Sequence, residues 1–182
     1  MTARRTLILL RHGQAAESMP GGRDIDRKLT ALGEQQARAV GDFLRDQGIE
    51  VDAVLCSAAI RAQQTLDQLA LSVDPGRVEI SESCYNAGVD TLLDALRARP
   101  IDSVVALLVG HAPGVPGVIF ELADREASDP AAMTAVERRF PAAAVGRLEF
   151  TGAWADLAEA VLVSARFADE SEVHPERSDS DR

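Results

Sequence analysis

A chain of 182 residues with 46% apolar and 26% charged residues suits one globular domain with a sizeable core. Aromatic residues are only 4%, so that core must be built mainly from Leu, Val, Ala and Ile. The 19 basic and 29 acidic residues leave a net charge of −10. This argues against a nucleic-acid partner, whose footprint needs clustered positive charge.

No apolar run approaches the ~20 residues of a membrane span, and the stretch after the N-terminal arginines, about four residues, is too short for a secretory signal. Cys56 and Cys84 are too few for a disulfide framework and lack the spacing of zinc ligands. They read as reduced thiols, so a cytoplasmic protein with no membrane partner is expected.

The apolar residues recur with the periods of alternating strands and helices. Residues 6–10 read as a first strand, whose aliphatic run continues into Arg11-His12-Gly13. Residues 20–28 form a polar loop. Thr30 is placed to cap a helix in which Ala37, Val40, Phe43 and Leu44 recur at helical spacing, with Gly48 as its stop. Residues 51–56 give a second strand, and Ser57 is expected to cap a helix over 59–71 with Arg61 in its first turn.

Residues 77–80 give a short third strand. A helix carrying Leu92, Leu93 and Leu96 follows and ends by Pro100. Residues 104–109 form a fourth strand that runs into Gly110-His111-Ala112-Pro113-Gly114, and a helix over 115–123 comes next. Residues 124–134 are expected to be a loop. Two further strands, 143–150 and 160–167, are joined by a long connection turning at Thr151-Gly152. The polar residues 169–182 are expected to form a flexible tail beyond a single domain over 1–168. The alternation predicts an α/β fold of three layers, helices on both faces of a mostly parallel sheet.

The near-continuous aliphatic runs of the first and fourth strands are those of strands buried on both faces. In open α/β sheets ligands bind beyond the carboxyl ends of the strands. The chain has only three histidines, and two of them, His12 and His111, fall at such ends. Arg11 beside His12 offers a permanent charge in a fork that matches phosphate oxygens. It also disfavours a metal cation there. Gly13 lets the backbone turn sharply and approach a ligand. Arg61 stands in the first turn of a helix, where a cation is unfavourable to the helix itself and a bound anion is favoured.

Each feature alone has a bland reading: a His-Gly turn, a solvated arginine, a satisfied core histidine. Together, Arg11, His12, Arg61 and His111 at the ends of three adjacent strands make a phosphoryl site. A cationic pocket in an acidic protein suits a small anionic group rather than a polyanion.

These motifs carry a resemblance to a known family. Arg11-His12-Gly13, Arg27-Lys28-Leu29-Thr30 with Gly33, residues 57–65 with Arg61, Ala62 and Thr65 at their core, and Val109-Gly110-His111 follow the order and spacing of the histidine phosphatase superfamily, with its phosphoglycerate-mutase-like fold. Over about residues 6–167 the chain looks most like the small SixA-type phosphohistidine phosphatases.

The resemblance implies a nucleophilic His12 that becomes phosphorylated. It also implies that Arg11, Arg61 and His111 bind the phosphoryl oxygens, with Gly13 among the substrate-binding residues. No metal or other cofactor is implied, because the arginines supply the positive charge. Inorganic phosphate is the expected product.

Many relatives carry a carboxylic acid that protonates the leaving group. Glu82 is the candidate here, with Asp24 and Asp26 as weaker ones. Ala58 stands where a proline is usual, and Gln14 and Ser18 replace other polar residues of larger relatives. The long insertions of mutases and acid phosphatases are missing, which leaves the pocket open. An open pocket suits a phosphorylated side chain on a protein or leaves the enzyme promiscuous, and the resemblance implies phosphohistidine on a protein as substrate. The alternatives are a phosphatase for small phosphoesters, such as sugar phosphates or nucleotides, and a non-catalytic phosphate-binding domain.

Overall fold

Residues 3–167 are described by the structure, a computed structural model; the expected tail, 169–182, lies outside them. Six strands form one sheet: β1 (Arg4–Arg11), β2 (Ala53–Ser57), β3 (Val78–Ser81), β4 (Val105–Gly110), β5 (Val145–Thr151) and β6 (Val161–Arg166). Their order is β3-β2-β4-β1-β5-β6. The first four in that order are parallel, while β5 runs antiparallel to both β1 and β6. The α-helices among the described residues are α1 (Ala31–Asp46), α2 (Ile60–Gln68), α3 (Val89–Arg97), α4 (Gly114–Leu122) and α5 (Pro130–Arg138).

The aliphatic runs serve both faces of the sheet. Leu7 and Leu9 of β1 join Leu55, Leu108 and the apolar sides of α3, α4 and α5 in one core layer. Ile8 and Leu10, one residue out of phase, join Val54, Val109 and residues of α1 and α2 in the other. Strand side chains alternate faces, so a strand covered on both sides must be apolar throughout. The three-layer α/β/α architecture and mostly parallel sheet expected from the sequence are what the chain forms.

Local signals act as read in most places. The Thr30 side chain accepts from the Gly33 N–H and caps α1, and Gly48, at φ +62°, closes the following turn. The single tryptophan sits in a short 3-10 turn between β5 and β6, fully buried, with its ring 5.0 Å from Phe150 and its Nε1–H on the Ser103 carbonyl at 2.8 Å.

Two readings need correction. Residues 124–134 are not one loop, because α5 begins at Pro130 with Asp129 as its cap, accepting from the Ala132 N–H. Asp-Pro is itself a helix start, since proline is tolerated at the first helical position, and Ala132, Met133 and Val136 give the helix a buried side. The helix after β2 is also shorter than expected. Ala59, not Ser57, is its capping residue, and it ends ahead of Ala70, which adopts φ +50°.

Candidate active site

The sheet order puts β4 between β1 and β2, and the register aligns Arg11 with Gly110 and Val109 with Cys56. The next residue along each strand is therefore His12, His111 or Ser57. All three emerge at one edge, as expected of the carboxyl ends of parallel strands. Arg61 reaches the same place from the first turn of α2.

Backbone packing fixes this edge tightly. A Cβ on Gly13 would lie 2.5 Å from the Gly33 carbonyl oxygen, so glycine is needed there for the close approach of α1. The Gly13 N–H donates to Thr65 Oγ1 at 3.0 Å, and that hydroxyl donates to the Arg61 carbonyl at 2.7 Å. Gly13 thus joins the first loop to α2. Its N–H has an acceptor within the protein in Thr65 Oγ1.

His12 is held in one tautomer. Its Nδ1 lies 2.7 Å from the Gly13 carbonyl oxygen, an acceptor only, so Nδ1 carries the proton. Its Nε2 accepts from Arg61 Nε at 3.2 Å. The ring is therefore neutral, with the Nε2 lone pair facing the arginine. Burial pushes the His12 pKa down to about 4, and the charges of Arg61, Arg11 and Arg27 act in the same direction.

His111 is 5% exposed. Its ring meets that of His12 edge-on, centroids 5.0 Å apart. Burial, then His12 and Arg61, push its pKa down to about 3.

The arginines are positioned by backbone carbonyls. Arg11 donates Nη1–H to the Phe140 carbonyl at 2.8 Å, and its buried Nε finds no acceptor among the described residues. Arg61 is 3% exposed. Besides His12 it holds the Asp24 backbone oxygen through Nη1 at 2.7 Å and the Asp24 carboxylate through Nη2 at 2.9 Å.

Asp24 is where the structure adds most to the sequence reading. Its carboxylate also accepts from Arg27 Nη1 at 2.8 Å and from the Tyr85 hydroxyl at 2.7 Å. Hydrogen bonds from Arg27, Tyr85 and Arg61, in that order of weight, hold it well below the usual carboxylate range. It is an anion that organises three donors and is not ready to donate a proton. Tyr85, the only tyrosine of the chain, stands edge-on to His111 with centroids 5.7 Å apart, and the Arg61 guanidinium lies 5.9 Å from its ring centre. Neither Tyr85 nor the clamping role of Asp24 was read from the sequence. The available signals were the Asp24/Arg27 spacing in a short turn and a lone tyrosine after β3.

The other carboxyl candidates sit apart. Asp26 pairs with Arg23 at 2.7 Å on the surface. Glu82 begins the short turn after β3 (Glu82–Cys84) at the same sheet edge and is exposed. Its side chain makes no hydrogen bond to the described site residues. The site therefore offers a neutral imidazole lone pair, a buried and a half-buried guanidinium group, a second imidazole and a clamped carboxylate, which together suit the transfer of a phosphoryl group.

The comparisons with known proteins agree. Residues 7–83 match the family described as histidine phosphatase superfamily (branch 1). An uncharacterised Mycobacterium tuberculosis protein is 35% identical over 150 residues, 81% of this chain and 91% of that one. Phosphohistidine phosphatase SixA of Escherichia coli is 31% identical over 125 residues, 66% of this chain and 75% of that one. The solved structure assigned to phosphohistidine phosphatase SixA of Nakamurella multipartitia superposes with a TM-score of 0.81 at 38% identity, covering 92% of this chain and 98% of that one. The chain belongs to the histidine phosphatase superfamily and is a phosphatase.

Proposed function

We propose that the protein is a phosphohistidine phosphatase that acts on phosphorylated proteins in two displacements at His12, without a metal ion. The observation that carries this reading is the His12 tautomer. With Nδ1–H tied to the Gly13 carbonyl, the basic nitrogen is Nε2, and it faces the arginine and the second histidine.

In the first displacement the Nε2 lone pair attacks phosphorus. The bond from phosphorus to the substrate nitrogen breaks, and the electron pair leaves on that nitrogen, which takes a proton. In the second, water attacks phosphorus and the bond to His12 Nε2 breaks. A proton passes to solvent, and inorganic phosphate leaves. Dividing the reaction in this way replaces one hard step with two easier ones.

Arg11, Arg61 and His111 would grip the phosphoryl oxygens throughout. Such groups act mainly by position and by charge already in place. Arg61 can release His12 Nε2 to the incoming phosphorus and turn its Nε–H onto a phosphoryl oxygen. Asp24, held by Arg27 and Tyr85, keeps Arg61 in register during that exchange.

Two points support phosphohistidine as substrate. Two relatives matched over most of the chain, at 31% and 38% identity, carry the name of that reaction, whereas those named as a serine/threonine-protein phosphatase and a phosphoglycerate mutase match 44% and 36% of it. In addition, the carboxylate nearest the reacting atoms is held ionised, which favours a leaving group that needs little acid assistance. The free thiols Cys56 and Cys84, both buried, fit a cytoplasmic setting for such a substrate. Among the described residues no helix is long and apolar enough to cross a membrane.

A second reading, a phosphatase for small phosphoesters, rests on Glu82. An exposed carboxyl at the end of β3 is available to protonate an alkoxide.

The test is turnover in the presence of a chelator of phosphohistidine protein, an aryl phosphate and sugar phosphates, by the wild type and His12→Ala. The expected result is chelator-resistant turnover, fastest on phosphohistidine, absent in the variant, with an acid-labile phosphoenzyme trapped on His12. Equal turnover by His12→Ala would overturn the mechanism, and faster turnover of alkyl esters would overturn the substrate.

A further inference from the structure

Ser57 is the last residue of β2, wholly buried. Its Oγ lies 2.7 Å from His111 Nε2 and 3.2 Å from the Ala59 N–H. A hydroxyl has one proton to give and two lone pairs to receive with. The Ala59 N–H takes one lone pair. The proton needs a buried acceptor, and the acceptor within reach among the described residues is His111 Nε2.

If Nε2 instead carried the proton and donated to Ser57, the serine would receive two hydrogen bonds and its own proton would have no partner. His111 Nδ1 would then rely on Arg61 Nη2, at 3.4 Å. That is long for a nitrogen–nitrogen bond; Nη2 gives one of its two N–H groups to the Asp24 carboxylate at 2.9 Å, and only the other faces His111.

We infer that Ser57 is a positioning residue: its hydroxyl donates to His111 Nε2 and so fixes His111 as an Nδ1–H donor facing the phosphoryl site. The inference rests on the reading of His111 as a phosphoryl ligand. It explains how a buried histidine serves an anion without a second proton. Arg61 Nη2–H and His111 Nδ1–H stand 3.4 Å apart as two donors, and a phosphoryl oxygen between them gives both an acceptor.

The groups around the His111 ring fit this assignment. His12 and Tyr85 meet it edge-on, Arg61 lies at Nδ1 and Ser57 at Nε2. Arg11 and Asp24 act on it by charge with opposite signs.

The experiment is a long-range proton–nitrogen NMR correlation on full-length protein with ¹⁵N-labelled histidine at neutral pH, without and with inorganic phosphate. His12→Asn and His111→Asn spectra assign the signals. The expected result is a protonated-type Nδ1 and an unprotonated-type Nε2 for His111, with Nδ1 moving when phosphate binds. In Ser57→Ala the tautomer shifts toward Nε2–H, and kcat/KM falls roughly ten- to a hundredfold as a donor to the phosphoryl oxygen is lost. Ser57→Thr, which keeps the hydroxyl, restores the Nδ1–H signature.

A protonated-type Nε2 in the wild type, with phosphate still moving the His111 signals, overturns the role of Ser57 alone. His111 signals that ignore saturating phosphate overturn the ligand reading beneath it. The wild-type spectrum decides between these even if the variants fail to fold.

Discussion

Arg61 Nε–H rests on His12 Nε2 at 3.2 Å, so a permanent cation sits on the lone pair to which the mechanism assigns the attack. The contact has two consequences. It opposes protonation of a ring that burial already keeps neutral, and it leaves a donor where the proposed mechanism brings the phosphoryl oxygens. A guanidinium does this with a fork of parallel N–H groups, one at His12 and one at Asp24. An ammonium group is a single point charge and cannot span both. Arg61→Lys is therefore expected to lose about 10²–10³ in kcat/KM, the range found when a transition-state donor is removed. Arg61→Gln, which removes the charge, is expected to raise the His12 pKa in an NMR titration. An unmoved titration would show that the two groups are not in contact in solution.

The Asp24 carboxylate occupies Arg27 and Arg61, and under the proposed mechanism it competes with phosphate for Arg61. In Asp24→Asn the three donors lose their anion, so inorganic phosphate should bind several-fold more tightly. Arg61 also loses its brace, and kcat on phosphohistidine protein should fall about tenfold. Product inhibition and single-turnover rates measure the two effects separately. A loss of both binding and turnover would mean that Asp24 holds the whole site together instead of holding Arg61.

The parts of this site that were legible in the sequence are those with a local cause. β1 and β4 announced themselves because strands buried on both faces must be aliphatic throughout, and His12 and His111 follow those runs directly. Ser57 was misread for the same local reason. A serine just ahead of a helix looks like a cap, while its real partner is His111, 54 positions away. Tyr85 and Asp24, 61 positions apart, meet only because β3 lies beside β2 and the first loop folds over α2. Gly13 was read as a residue that lets the backbone turn and approach a ligand, while the need for glycine there comes from the Gly33 backbone, which no pattern near residue 13 reveals. Pairings between side chains on different loops depend on the sheet order, and the apolar pattern leaves that order open.

That backbone contact gives a stability prediction. A Cβ on Gly33 would lie 2.1 Å from the Gln14 carbonyl oxygen, with backbone on both sides and no flexible side chain to yield. Gly33→Ala is expected to destabilise the fold by about 3 kcal/mol or more, in the range of overpacking. It should also depress activity, because the displaced loop carries His12. Gly48→Ala is a useful comparison. No heavy atom crowds that position, and the cost there comes from its φ of +62° and should be about 1 kcal/mol. Equal melting temperatures for the two variants would contradict the packing argument.

Glu82 separates the two substrate readings. On phosphohistidine the departing imidazole needs little acid help, so Glu82→Gln should change kcat/KM by less than about threefold. On an alkyl phosphate, where an alkoxide must be protonated, the same change should cost about 10²-fold if Glu82 acts as the acid. Parallel rates on an aryl phosphate series show the same contrast as a steeper dependence on leaving-group basicity in the variant. Unchanged rates on every substrate would remove Glu82 from the mechanism, and equal large losses on all of them would place it in binding.

The histidines also tie stability to pH. In the fold the pKa of His12 is pushed down to about 4 and that of His111 to about 3, both from an ordinary 6.5. As pH falls through 6.5, the unfolded chain takes up protons that the folded chain refuses. The stability these rings provide is complete above about pH 6.5, declines on acidification, and is gone once the pH has passed through the folded values. The Asp24 carboxylate, held below its ordinary 3.8 by Arg27, Tyr85 and Arg61, adds a further loss only at more acid pH. The melting temperature should thus fall steadily from pH 6.5 to pH 4, before most carboxylates titrate, and the slope should flatten in the double variant His12→Asn/His111→Asn. Tungstate or phosphate should raise the melting temperature in the same range, since a bound oxyanion favours the protonated imidazoles and stabilises the fold by mass action. A double variant that keeps the wild-type slope would show that the acid sensitivity arises elsewhere in the chain.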